Sequence, residues 1–146
     1  MVIKIRKAVK KDLKEIGKLM KEELSKPPFN ERDNIKNILK SLNFYYKTAR
    51  IYLNEENKIK IGILVFQTEQ WWEGPVIIIQ DLVVKQKFQN QNIGKSFMKF
   101  LEKYAVNKNA KRIYFETNKK SSAIRFYKKL GYKVNKDRIS MSKRLK

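Results

Sequence analysis

The spacing of apolar residues changes several times along the chain, and each change marks an element. Val2, Ile3 and Ile5 alternate with polar neighbours and predict a strand ending near Ala8. Leu13, Ile16, Leu19, Met20 and Leu24 then fall at helical spacing. Asp12 stands at the start of that helix, where its charge suits the dipole, and Pro27-Pro28 ends it. Ile35, Ile38, Leu39 and Leu42 predict a second amphipathic helix. Arg50 to Leu53 and Lys58 to Gln67 read as strands joined through Glu55-Glu56-Asn57, a hairpin. Trp71-Trp72-Glu73-Gly74-Pro75 reads as a turn, and the long apolar run Val76 to Val84 as a central strand. Ile93, Phe97, Met98, Phe100, Leu101 and Tyr104 give another amphipathic helix, and Arg112 to Thr117 another strand. Ala123 to Leu130 is helical and stops at Gly131, a residue suited to the position after a helix end. Tyr132 to Val134 and Arg138 to Ser142 predict a closing hairpin.

The expected order is β-α-α-β-β-β-α-β-α-β-β. It predicts one α/β domain over residues 1–146, a mixed sheet with helices on both faces, with no linker or repeat. Ligands of such sheets bind beyond the carboxyl ends of strands where the order changes. The strand ending at Val84 leads into such a place.

Composition narrows the chemistry. Cysteine and histidine are both absent, which excludes disulfides, thiol nucleophiles, Ser-His-Asp catalysis and nearly all zinc chemistry. Acid–base work falls to carboxylates, Tyr, Lys, backbone or water. No apolar run reaches roughly eighteen residues, so no membrane span is expected. The N-terminus shows no signal-like apolar block, which predicts a cytoplasmic protein. The formal charge is +21, from 35 Lys and Arg against 14 Asp and Glu. Such a surface attracts polyanions, including phosphorylated cofactors and RNA. The abundance of Lys, Ile and Asn equally fits a compositional bias.

Gln89-Asn90-Gln91-Asn92-Ile93-Gly94-Lys95-Ser96 lies between that strand and a strong helix start. Unsatisfied backbone amides and the helix dipole favour an anion there. The chain then resembles, over nearly its whole length, the GNAT superfamily of acetyl-CoA-dependent N-acetyltransferases. That family's pyrophosphate loop, Arg/Gln-x-x-Gly-x-Gly/Ala, is matched by Gln89 and Gly94, with Asn92 in place of the first glycine. Asn tolerates positive φ better than other non-glycine residues, so the loop can keep its shape. The family's later motif, Ala-Ile-x-Phe-Tyr-x-Lys-Leu-Gly-Phe, resembles Ala123-Ile124-Arg125-Phe126-Tyr127-Lys128-Lys129-Leu130-Gly131-Tyr132. Glu116-Thr117 resembles the Glu-Thr at the end of its fifth strand. Many members carry Asn seven residues before the helix Tyr. Here that position is Lys120, with Asn118 two residues earlier.

The resemblance implies a GNAT fold: a mixed, mostly antiparallel sheet of about seven strands flanked by about four helices. It implies acetyl-CoA as co-substrate, a primary amine as acceptor and no metal. Gln89, Asn90, Gln91, Asn92, Ile93, Gly94, Lys95 and Ser96 would face the pyrophosphate, and the backbone of Leu82, Val83 and Val84 would pair with the pantetheine arm. Asn118, Lys120, Phe126 and Tyr127 would complete the cofactor site. Tyr127 is the expected general acid, since a phenol near ~10 is protonated at neutral pH. Its other role would be core packing. Asp81, in Gln80-Asp81-Leu82, resembles the acidic segment of polyamine-type members. It is the candidate base or acceptor ligand, or else a partner for one of many lysines. Phe29, Glu31, Asp33, Tyr45, Tyr46, Trp71 and Trp72 are candidate acceptor walls, and Glu116 is a further strand-end carboxylate. Alternatives are a basic RNA- or ribosome-associated protein, or a GNAT fold that binds CoA without turnover. A homodimer through the final strand is a further expectation.

Overall fold

In the computed structural model, which describes residues 3–27 and 29–146, five strands form one sheet. They are β1 (Ile5–Lys7), β2 (Arg50–Glu56), β3 (Ile59–Trp71), β4 (Gly74–Val84) and β5 (Arg112–Tyr114), and their spatial order equals their chain order. β1 to β4 pair antiparallel and β5 lies parallel to β4. Four α-helices accompany them: α1 (Leu13–Leu24), α2 (Ile35–Thr48), α3 (Ile93–Asn107) and α4 (Ala123–Lys129). The chain divides into two units, Met1–Glu116 and Thr117–Lys146. No helix among the described residues is long and apolar enough to cross a membrane.

In the first unit, β4, the expected central run, is interior to the sheet between β3 and β5, and β3 stands in the middle of the order. β3 has ladder partners on both sides, and Lys60 to Phe66 are all buried. The β2–β3 turn is set by Asn57 and Lys58, which take φ 50° and 65°, as a tight hairpin of the right twist requires. The turn after β3 is only Trp72-Glu73, because Trp71 pairs with Gly74 and Pro75 with Gln70.

α1 and α2 cover one face, and their apolar stripes meet Ile51, Leu53, Ile63, Val65 and Val83. Gly17 permits this: a Cβ there would stand 2.9 Å from Leu39 Cδ2. α3 covers the opposite face, with Tyr104 against Phe66 and Phe100 against Tyr52. α2 is N-capped by Asn34, whose side chain accepts from the Asn37 amide at 2.9 Å.

At the foot of β1, Arg6 donates to both carboxylate oxygens of Asp12 at 2.9 and 3.1 Å, and to Glu55. Asp12, 4% exposed, also accepts from the Val9 amide at 2.7 Å and pairs with buried Lys60 at 3.3 Å. The Arg6 hydrogen bonds hold the Asp12 carboxyl well below the ordinary carboxylate range.

The second unit contains α4. Gly131, at φ 96°, comes just past its end; its amide donates to Lys128 and the Tyr132 amide to Tyr127, the paired bonds of a Schellman cap. The expected closing hairpin is not formed: no strand occurs beyond residue 114 among the described residues, which leaves five strands where about seven were expected. Ile139 and Met141, on the expected last strand, are 85% and 86% exposed. β1 is likewise shorter than the Val2–Ala8 expectation; Val2, and Pro28 of the predicted helix stop, lie outside the described residues.

Candidate active site

The site in the first unit begins with a register change. Val65 pairs with Asp81 but Phe66 pairs with Ile79, so Gln80 is an extra residue on β4. Such a bulge re-aims the side chains beyond it. Without it, alternation would put Asp81 on the face of Ile77 and Ile79, against α3. With it, Asp81 shares the face of Val65, Ile63 and Val83, under α1 and α2.

There Asp81 is half-buried, and burial pushes its carboxyl up to about 7, with the charge of Glu31 adding to the effect. Glu31, in the α1–α2 connection, is itself raised by burial and by Asp33. Tyr45, on α2, is raised by burial and by the charge of Asp81. Four residues singled out in the sequence are thereby electrostatically coupled: Glu31, Asp33, Tyr45 and Asp81. The Trp71-Trp72 turn is not among them. Six ladder positions separate Trp71 from the partner of Asp81, roughly 20 Å at ~3.3 Å per residue. Trp71 instead packs on Tyr114, and Trp72 is fully exposed.

The outer edge of β4 opens beside Asp81. The parallel ladder with β5 covers only Val76, Ile77 and Ile78, whereas β4 continues to Val84. Leu82, Val83 and Val84 thus lie on an edge that can pair with an extended ligand arm. Past β4 the chain makes a short 3-10 turn, Gln86–Phe88, and Gln89 Nε2 donates back to the Val84 carbonyl at 3.0 Å. Asn90 and Asn92 both adopt left-handed backbone, φ 64° and 65°, and Asn92 N-caps α3 without a side-chain capping bond. The glycine-to-Asn replacement is accommodated here. Ser96 turns back on the Asn92 carbonyl through both its amide and its hydroxyl. Ile93, Gly94 and Lys95 therefore occupy the first turn of a fifteen-residue helix, where amides favour an anion. These features fit a diphosphate-bearing co-substrate with a long amide-containing arm.

The second unit holds the remaining candidates. Tyr127 is half-buried in α4, and burial pushes its phenol up to about 12. Phe126 and Tyr132 lie edge-on to it, with ring centroids 5.1 and 6.2 Å away. Asn118 Oδ1 accepts from the Lys120 amide at 2.8 Å, so these two residues shape the turn before α4. At the end of the first unit, Glu116 accepts from the Tyr114 hydroxyl at 3.2 Å.

Among the described residues no group of three or more Asp or Glu could hold a metal ion. An open groove of about 710 Å³ runs between α1 and residues 31–35, lined in part by Lys18, Lys21 and Asp33. Glu31 lines it too, but Asp81 and the β4 edge do not.

Sequence reasoning missed Glu23. It is 6% exposed on the buried stripe of α1 and accepts from the Gln86 amide at 2.8 Å. Its signal was available: it is an acid three residues after Met20 and seven after Ile16, where the helical period calls for an apolar side chain.

No curated protein matches the sequence. Solved structures match it closely in fold. A possible acetyltransferase from Clostridium difficile 630 superposes with a TM-score of 0.86 at 14% identity, covering 100% of both chains. AAC(6')-Iy, in complex with the bisubstrate analog CoA-S-monomethyl-acetylneamine, gives 0.79 at 15% identity, covering 99% of each chain. An aminoglycoside acetyltransferase from an uncultured soil metagenomic sample, in complex with sisomicin, gives 0.75 at 19% identity, covering 99% of this chain and 97% of its own. The model of the acetyltransferase (GNAT) family matches residues 14–132, and the chain belongs to that family.

Proposed function

We propose that the protein transfers an acetyl group from acetyl-CoA to a primary amine by direct attack, and that the acceptor is a small cationic amine. The observation that carries this reading is Asp81: a carboxylate lifted to about 7, beside an open strand edge and an uncapped helix start. The first-turn amides of α3 and Lys95 hold the pyrophosphate. The β4 edge from Leu82 to Val84 binds the pantetheine arm, and one of its amides donates to the thioester oxygen. Asp81 accepts a proton from the acceptor ammonium, directly or through water. As the C–N bond forms and the C–S bond breaks, Tyr127 gives its phenol proton to the departing sulfur, and the second proton shed by the nitrogen restores the phenol through water.

Glu31, Asp33 and Asp81 make a local acidic region within a +21 protein, which supports a cationic acceptor despite long-range repulsion. The aminoglycoside acetyltransferases among the structural neighbours make amino sugars, beside polyamines, the first amines to try.

Thermal unfolding with and without acetyl-CoA tests the co-substrate, because a ligand of the folded state must raise the midpoint. An amine panel with thiol release as readout then tests the acceptor. The Tyr127→Phe variant should lose about a hundredfold in turnover with acetyl-CoA affinity kept. Unchanged turnover removes Tyr127 from the mechanism, and no midpoint rise removes acetyl-CoA.

A second reading rests on residues 117–146, which carry eleven Lys and Arg, all exposed, against the single acid Asp137. It is binding of a polyanion such as RNA by this segment. Titration with RNA at two salt concentrations decides it: binding that weakens steeply with salt supports it, and none at low salt ends it.

A further inference from the structure

We propose that Glu23 is a positioning residue that sets the cofactor loop from α1. The inference rests on reading the Gln89–Ser96 turn as the pyrophosphate site. Glu23 occupies a place in the α1 stripe beside Ile16, Leu19 and Met20, where a carboxylate costs stability unless its oxygens are bonded. Both are. Oε1 accepts from the Gln86 amide at 2.8 Å, and Oε2 from Lys26 Nζ at 2.9 Å.

The two bonds reach two different loops. Gln86 is the first residue of the turn between β4 and the left-handed Asn90–Asn92 stretch. The amide just before it, of Lys85, donates to Ile61 of β3 at 2.8 Å. Successive amides therefore anchor this connection to the sheet and to α1. Lys26 begins the α1–α2 connection; its carbonyl accepts from the Phe29 and Asn30 amides, and the next amide, of Glu31, returns to Leu24. One buried carboxylate thereby fixes the entry to the cofactor turn and the loop that presents Glu31 toward Asp81. A leucine would satisfy the packing of the stripe but would leave the Gln86 amide without its acceptor.

Three proteins test this: wild type, Glu23→Leu and Glu23→Gln. Calorimetric binding of CoA and steady-state kinetics are measured on each, with unfolding midpoints. Glu23→Leu should stay folded with a midpoint near or above wild type. Its CoA dissociation constant and its KM for acetyl-CoA should rise about tenfold while kcat changes little, as loss of one charge-assisted bond predicts. Glu23→Gln, whose amide oxygen can still accept from Gln86, should return within about threefold of wild type. A folded Glu23→Leu protein with wild-type CoA affinity overturns the proposal, and so does a glutamine variant as impaired as the leucine one. If wild type itself binds no CoA, the pyrophosphate reading of the turn fails instead.

Discussion

Asp12, at the foot of β1, and Asp81, beside the β4 bulge, bring the same side chain into the same unit. Asp12 is met by the Arg6 fork, Lys60 and the Val9 amide, and is held ionised far into acid. Asp81 meets an apolar strand environment and a second acid, Glu31, and is pushed up to about 7. Burial of a carboxylate therefore says little by itself. A charge whose partners are supplied by the fold is spent on holding elements together. One left to desolvation keeps a proton in play at neutral pH, and its partner must come from outside.

Exchanging the carboxylates for neutral groups separates the two roles. Asp81→Asn should lower turnover by about a hundredfold or more, measured as thiol release, because acid–base contributions are of that order. The same variant should be more stable at pH 8. With a raised folded pKa, Asp81 contributes stability that is lost as pH rises from about 4 through about 7, so removing it should gain up to about 4 kcal/mol at pH 8 and nothing near pH 4, read by urea unfolding. A variant both less active and less stable at pH 8 breaks the comparison. Asp12→Ala should cost about 3 kcal/mol at neutral pH and leave kcat per folded molecule intact. Its deficit should shrink below pH ~4, since a lowered pKa gives stability that is lost on acidification. For the wild type, kcat/KM should climb about tenfold per pH unit below 7 and level above it. The smallest effect should come from Glu31→Gln, which moves that midpoint down by a few tenths of a unit, because Glu31 is the lesser cause of the shift.

Much of this was legible from residue patterns. The α1 and α3 stripes, the β2–β3 hairpin and the Gly131 helix stop all rest on local rules, and local rules were enough. The Asn92 replacement could be judged in advance because positive φ is a property of one residue. The bulge at Gln80 was not legible. No Gly or Pro marks it, and it exists only as a mismatch between two strands. The acidic coupling of Glu31 to Asp81 joins residues fifty positions apart and needs the fold first. The separation of Trp71-Trp72 from Asp81 was hidden for the same reason, since an antiparallel ladder carries its tip away from its base. Tyr132 to Val134 and Arg138 to Ser142 have a strand's alternation, yet no strand occurs there among the described residues, and alternation alone makes no ladder.

The sheet's spatial order has a consequence for assembly. β2, β3 and β4 are joined by two tight turns, so their pairing closes only short loops and belongs to the fast, local part of folding. On a ribosome the meander bearing Asp81 is complete before α3 has been synthesised. The face bearing Asp81 can then form first, with the start of α3 added to a surface already made, and arrest peptides placed behind a tunnel-length linker after residue 90 and again after residue 110 would register the two stages as separate pulling events.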